Sequence, residues 1–504
     1  MEQDREISRE ELHQFDTIIL TVTNSVDISN SKLSCERNCA RRARFQQCDP
    51  RIFGAVLFLL GVSVLARASE TPAGAAPTPV FDPYRFGAKG DGVSNDRLPL
   101  QRAIDACQGS GGSVFLHDGR FLTGQITLRS NMTLYIAPSA TLVGIRSTSE
   151  AEYPSKSSPT PNRINEACQR RLIYGENLDR VAITGGGTLD GQGDFWPWVS
   201  HGEKIPERMR PSLIEIANSR VVEVSHLKLM RSGMWTQVYL ECSDLVLRGL
   251  TVDTSNIPSN RDGTDICDCH DALMEDCAIR SQDDGICFKS GSAVGCRDIV
   301  VRRCSVDKMG LSAGNCLKFG TVSCGAFANV TCEDLVLRNT RNTAITWESV
   351  DGATIQNVEV RDCHISEAAQ AISVMLGQRS ADSIGRVANL TFDNITAISG
   401  VGPVASLVTG MPGHSIRNVR FRHLKFVTVG GIEKIDAGVP EYSGGYPEGT
   451  HFGNLPGSAF YLRHVDSVRF SDCEFATERT DARPWLATHD VAGCEQINVS
   501  WRTQ

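Results

Sequence analysis

The chain has 504 residues, a net charge of -8, 45 glycines and 7% aromatic residues. That length buries one very large core or two to three ordinary ones, and the acidic balance excludes the basic footprint of a nucleic-acid binder. Long amphipathic helical patterns are scarce and short runs of Val, Ile, Thr and Asn recur, so the class is all-β.

Residues 1–68 read as an export region. The apolar run "FGAVLFLLGVSVL" (53–65) follows Arg51 and precedes Ala66-Arg67-Ala68. A basic flank, a short apolar core and an A-x-A site are the parts of a cleavable secretory signal. The run is short for a membrane span, the alternative reading, and it begins unusually late. The expected mature chain starts near Ser69, with 69–80 a disordered lead-in and 81–504 one domain, a secreted or periplasmic monomer. Export permits disulfides. Yet Cys277, Cys304, Cys363 and Cys473 occupy the same place in one repeated phrase, which suits small buried hydrophobes better than a disulfide framework. Cys267 and Cys269 lack the second pair that a zinc site needs.

"SNDRLPLQRAIDACQ" (94–108) predicts a short capping helix, with Leu98, Leu100, Ala103 and Ile104 as its apolar positions. From about residue 170 a phrase recurs, a polar pair followed by alternating Val, Ile or Leu: "NSRVVEVSHLKL", "CSDLVLRGLTV", "CHDALMEDCAI", "CRDIVVRRCSV" and later copies. Period-2 alternation predicts half-buried strands. A repeat of roughly 20–30 residues predicts stacked coils, too short for propeller blades and without leucine-rich-repeat helices. The architecture that fits is a single-stranded right-handed parallel β-helix, whose core grows one coil at a time.

The stretch "SNRDGTDICDCHDALMEDCAIRSQDDGICFKSG" (259–291) carries Asp262, Asp283 and Asp284. In "GICFK", Ile286 and Phe288 face the core and Cys287 and Lys289 face out. Asp283 and Asp284 cannot both project from a regular strand, so at least one sits at the bend before it. Asp262 holds the same place one coil earlier, and coils lie about 4.8 Å apart. The three carboxylates therefore converge, and crowded like charges keep one of them protonated. The competing readings are turn-capping aspartates on the surface and a calcium site. Downstream, Lys318 projects outward between Leu317 and Phe319, Glu348 follows Trp347, and Arg341 and Arg379 lie at strand edges. A Gly-, Pro- and Tyr-rich excursion at 433–457 reads as a loop over the cleft or a cap.

With "FGAKGDGVSND" (86–96), "LTGQITLRSNMTLYIAPSATL" and "LIYGENLDRVAITGGGTLDGQGDFW", these motifs resemble glycoside hydrolase family 28, the polygalacturonases and their relatives. Asn260-Arg261-Asp262 matches the family's Asn-x-Asp motif and Asp283-Asp284 its Asp-Asp motif. The resemblance implies inverting hydrolysis of a pectin-related polysaccharide or oligosaccharide, with neither cofactor nor metal. It makes Asp283 the general acid, with Asp262 and Asp284 holding and activating water. Two departures stand out: Gly314-Asn315-Cys316 replaces Gly-His-Gly, and Ala344-Ile345-Thr346 replaces Arg-Ile-Lys, whose cations hold a substrate carboxylate. Substrate contacts then fall to Asn260, Asn315, Lys289, Lys318, Glu348, Arg341 and Arg379, with Lys318 foremost. The expected specificity is altered, toward a branched or neutral-sugar linkage, and an exo mode follows if the 433–457 excursion blocks the cleft. The alternatives are a calcium-dependent polysaccharide lyase and a non-catalytic carbohydrate-binding β-helix.

Overall fold

The computed structural model describes residues 78–503 apart from 156–163, 165–168, 197–206, 255–259, 310–313, 381, 383, 399–403, 436–437 and 443. The expected export region and residues 69–77 of the lead-in lie outside the described residues. The compact unit Ala76–Gln504 is a right-handed parallel β-helix. Val80–Phe81 already pairs with Ser113 and Val114, so the sheet begins one residue before the expected boundary.

Away from the two ends, strands pair in parallel with their counterparts one coil before and one coil after. On one face the succession is Arg171–Glu176, Ser212–Ala217, Gln237–Leu240, Thr264–Cys267, Ile286–Ser290 and Leu317–Ser323. The second residue of the recurring polar pair turns a corner. Asp244, Asp271, Asp298, Asn329, Asn357, Asn389 and Asn418 all adopt positive φ, and register places them in one column. Short polar side chains tolerate the left-handed region, and here they also bond along the solenoid axis. Asn357 Nδ2 donates to Asn329 Oδ1 at 3.1 Å, Asn389 to Asn357 at 3.0 Å and Asn418 to Asn389 at 2.7 Å. Asn357→Ala loses both the ladder bonds and the tolerance for positive φ. It is expected to lower stability by about 1–2 kcal/mol, read as a lower denaturant midpoint with unchanged strand content.

Inside, like stacks on like. Phe319, Trp347, Phe392, Phe421 and Phe470 form a stack with centroid steps of 5.4, 4.7, 5.2 and 4.7 Å. Cys304, Leu335, Cys363 and Ile395 follow one another in a single inward column, and Cys277 precedes Cys304 in it. A thiol thus takes a position that Leu or Ile takes in the next coil. All fourteen described cysteines are free and twelve are buried, which makes them packing groups.

The helix Arg97–Cys107 covers the first coil with Leu100, Ala103, Ile104 and Cys107. Leu98, expected on that face, is 64% exposed. It lies off the i, i+3, i+4, i+7 stripe that the other four define.

Candidate active site

The site sits at a corner where three coils meet the strand face. Register pairs Thr264 with Ile286, and Ile286 with Leu317. Asp262, Asp284 and Asn315 each lie two residues ahead of those partners and stack as a column. Backbone bonds hold it: the Gly263 N–H donates to the Asp284 carbonyl and the Gly285 N–H to that of Asn315, both at 2.8 Å. Coils approach so closely here that a Cβ on Gly263 would meet the Gly285 carbonyl at 2.6 Å, and one on Gly285 the Cys316 carbonyl at 2.6 Å. Both aspartates of the Asp-Asp pair precede the strand Ile286–Ser290, at the bend. Arg261 clamps the preceding corner by donating to the carbonyls of Ser232, Gly193 and Trp196 at 2.6, 2.9 and 2.7 Å. Asn260, beside it, takes the left-handed backbone that the turn requires.

Two lysines neutralise the acids from below. Lys289 Nζ lies 3.0 Å from Asp262, 2.5 Å from Asp265 and 3.1 Å from Cys287 Sγ, over the Trp235 ring at 4.3 Å. Asp262, Asp265 and Cys287 present ligand atoms within 4.8 Å of one another, as a metal site would; the ammonium supplies positive charge at that place. Lys318 Nζ lies 3.2 Å from Asp284, 3.8 Å from Glu348 and 3.7 Å from Glu448, and donates to Tyr446 Oη at 2.9 Å. Asn315, standing where the family's histidine is expected, donates its N–H and Nδ2 to Asp284 Oδ1 at 2.7 and 3.2 Å. Its own Oδ1 accepts from the Thr343 N–H at 3.0 Å.

These surroundings push the carboxyls apart. Burial would raise Asp284, but the ammonium of Lys318, then that of Lys289 and the Asn315 N–H, hold it below the usual carboxylate range. Asp283 is pushed up by burial and by the charge of Asp284, against the opposing pull of Lys308 and Lys318. Lys308 donates to the Asp283 carbonyl from the coil beneath. Asp262 is pushed up by burial, and burial raises Asp265 to about 6. The Oδ1 of Asp262 is buried and has no hydrogen-bond partner among the described residues. Asp283 alone of the three aspartates is only half-buried. Asp262 and Asp284 are 2% and 5% exposed.

The structure thus brings Asp262, Asp284, Lys289, Asn315, Lys318 and Glu348 into one network, with Asp283 at its edge. Lys289 is buried beneath the aspartates instead of facing the cleft. Arg379 grips Asp351 through both carboxylate oxygens at 3.0 and 2.8 Å and reaches Thr321 Oγ1. Arg341 is exposed at a register shift between Thr340 and Thr343 and forms no ion pair among the described residues. Thr346, in the expected Arg-Ile-Lys place, is buried and donates to Glu348 at 3.4 Å. Sequence reasoning missed Asp265, Lys308, Tyr446 and Glu448. Strand alternation carried a signal for Asp265, which pairs with Cys287 on the outward side; no local pattern marked Glu448, which arrives from 133 residues beyond Asn315.

Residues 119–353 match the family described as Glycosyl hydrolases family 28. A "Probable polygalacturonase" of Vitis vinifera is 30% identical over 273 residues, which cover 51% of this chain and 54% of that protein. The chain spans about half the length of the curated relatives it matches. The hyperthermoactive exopolygalacturonase of Thermotoga maritima superposes with a TM-score of 0.62 at 21% identity, over 70% of this chain and 88% of that one. The polygalacturonase of Erwinia carotovora ssp. carotovora does so with a TM-score of 0.57 at 18% identity, over 70% and 96%. Over residues 119–353, which hold the aspartate motifs, the chain is thus similar to glycosyl hydrolases family 28, and the solved polygalacturonases share its fold.

Proposed function

We propose that the chain is an exported glycosidase that hydrolyses a glycosidic bond in a pectin-related polysaccharide or oligosaccharide by a single inverting displacement. The observation that carries this reading is the opposed pair at the corner. Asp283 is raised and half-buried, whereas Asp284 is lowered and braced by Lys318 and Asn315. A glycosidic oxygen leaves readily only when protonated, and water attacks readily only when a base takes its proton. Asp283 gives its proton to the leaving oxygen as the bond to the anomeric carbon breaks. Asp284 takes a proton from the water that bonds to that carbon on the opposite face. Asp262, in the same column one coil earlier, helps to hold that water. Exchange with solvent then returns a proton to Asp283 and removes one from Asp284, with no cofactor in the balance.

The lysine at Asp262, Asp265 and Cys287 favours hydrolysis over the calcium-dependent lyase reading, because those acids are already committed to an ammonium. The cations of Lys318 and Arg379 are likewise committed to protein carboxylates. With Thr346 where a uronate-binding cation is expected, and Arg341 the candidate cation left without an ion pair among the described residues, altered specificity follows.

The test incubates the chain from Ser69, and its Asp283→Asn variant, with a panel of pectic and neutral-branched oligosaccharides. New reducing ends and the ultraviolet absorbance of unsaturated uronates are followed with and without chelator. Saturated products of inverted anomeric configuration, lost in the variant, are expected. Unsaturated, chelator-sensitive products would make the chain a lyase, and binding without turnover would make it a carbohydrate-binding scaffold.

The rate is expected to follow a bell-shaped pH profile. It falls as pH drops through the depressed pKa of Asp284, which must be ionised, and as pH rises through the elevated pKa of Asp283, which must be protonated. A profile in which Asp283→Asn leaves the alkaline limb unchanged would remove Asp283 from the acid role.

A further inference from the structure

Beyond the aspartates, the outward columns of the strand face run beneath the chain's own cover. Ser373, Leu407 and Tyr461 continue the column of Lys318 and Thr346, and Met375, Thr409 and Arg463 that of Glu348. All six are buried. The cover is the connection between the strands Lys425–Gly430 and Phe460–Arg479. Val439, Tyr442, Phe452 and Leu455 pack on Met375, Leu407 and Tyr461. Arg463 pins the start of the connection by donating to the carbonyls of Val439 and Pro440 at 3.1 and 3.0 Å. At Gly449 the connection touches the floor: a Cβ there would meet Gln370 Oε1 at 2.3 Å and Ser373 Oγ at 2.4 Å. Three coils, about 14 Å of floor, are closed in this way.

The leading edge of the cover reaches the reacting groups. Tyr446 lies over Lys318 with its ring centroid 5.0 Å from Nζ, and Glu448 approaches Asn315 Nδ2 at 3.4 Å and Lys318 at 3.7 Å. An internal glycosidic bond can reach Asp283 and Asp284 only if polymer continues on both sides, and on this side the path is filled. A chain terminus differs from an interior residue by one extra free hydroxyl. The edge offers two hydroxyl-binding groups, the Tyr446 hydroxyl and the Glu448 carboxyl.

We propose that Tyr446 and Glu448, carried by this connection, form an end wall at the Lys318 coil, so that the protein binds the terminus of a saccharide chain and releases short products from it. The inference rests on the hydrolase reading for its products but not for its binding mode, and two measurements separate them. In the inactive Asp283→Asn protein, calorimetric titration with pectic oligosaccharides of increasing length is expected to give one protein bound per chain whatever the length. A stoichiometry that grows with chain length overturns the end wall even if nothing is hydrolysed. With the active protein and soluble polymer, one small product size is expected from the first time points, with viscosity nearly unchanged as reducing ends accumulate. Rapid viscosity loss with mixed oligomers overturns the end wall and leaves hydrolysis standing. Tyr446→Ala with Glu448→Ala is expected to raise KM for short oligosaccharides more than it lowers kcat, with products of mixed length. If instead kcat and KM for short and long substrates keep their ratio in this double variant, the wall has no role in recognising the terminus.

Discussion

Asp283→Asn is expected to lower hydrolysis by about a hundred- to ten-thousand-fold with little change in thermal stability. The variant keeps an oxygen to accept the Asp284 N–H, which Asp283 Oδ1 now accepts at 2.9 Å, so the bend survives. What it loses is the proton for the leaving oxygen. A substrate whose leaving group is already a good one needs that proton less, so an aryl glycoside of an acidic phenol should recover much of the lost rate. Asp284→Asn should show no such recovery, because the water must still be deprotonated. Steady-state rates on the two substrates decide the matter. If Asp284→Asn is the variant rescued by the better leaving group, the two roles are exchanged. Equal losses on both substrates for Asp283→Asn would remove it from the acid role altogether.

The other large effect is expected at Lys318, which is 1% exposed and lies within ion-pair distance of Asp284, Glu348 and Glu448. Lys318→Met leaves those acids without their shared cation, and breaking a buried pair from one side costs about 3–5 kcal/mol at neutral pH. The sign with pH follows from the shift it removes. In the intact protein Asp284 has a lowered pKa, so it contributes stability above the unfolded value that is lost as pH falls through the folded one. Without Lys318 that contribution shrinks, leaving only the pull of Lys289, Lys308 and the Asn315 N–H, and Asp284 titrates higher. The stability gap between variant and parent should therefore narrow as pH falls, and the acid limb of the rate profile should move to higher pH. Denaturant unfolding at neutral and acidic pH checks the first expectation, and the rate profile of residual activity the second. Unchanged stability at neutral pH would show that the cluster does not depend on this ammonium.

The division between what was legible and what was not follows the range of the interactions. The polar pair before each alternating run marked the corners where Asp244, Asp271 and Asn357 take positive φ. Cysteines in equivalent phrases marked one inward column. Coil spacing brought Asp262 next to Asp284, as register confirms. A solenoid repeats its local geometry, so near-neighbour pattern becomes three-dimensional contact at a fixed offset. By itself, then, the sequence determined the β-helix, the outward and inward positions of each strand and the convergence of the aspartates.

Only the tertiary structure decided what surrounds them. "GICFK" placed Lys289 outward, but that it lies under Asp262 and Asp265 depends on the register of two coils and on Trp235 of a third. Arg379 appeared as a candidate for substrate, and its engagement with Asp351 depends on a contact 28 residues away. Glu448 and Tyr446 come from a connection with no repeat at all, and long-range contacts alone place them beside Asn315 and Lys318. Irregular segments are positioned by the sum of weak long-range contacts rather than by a local period. The protonation of the site, set by burial and by charges brought from distant coils, is settled at that level too.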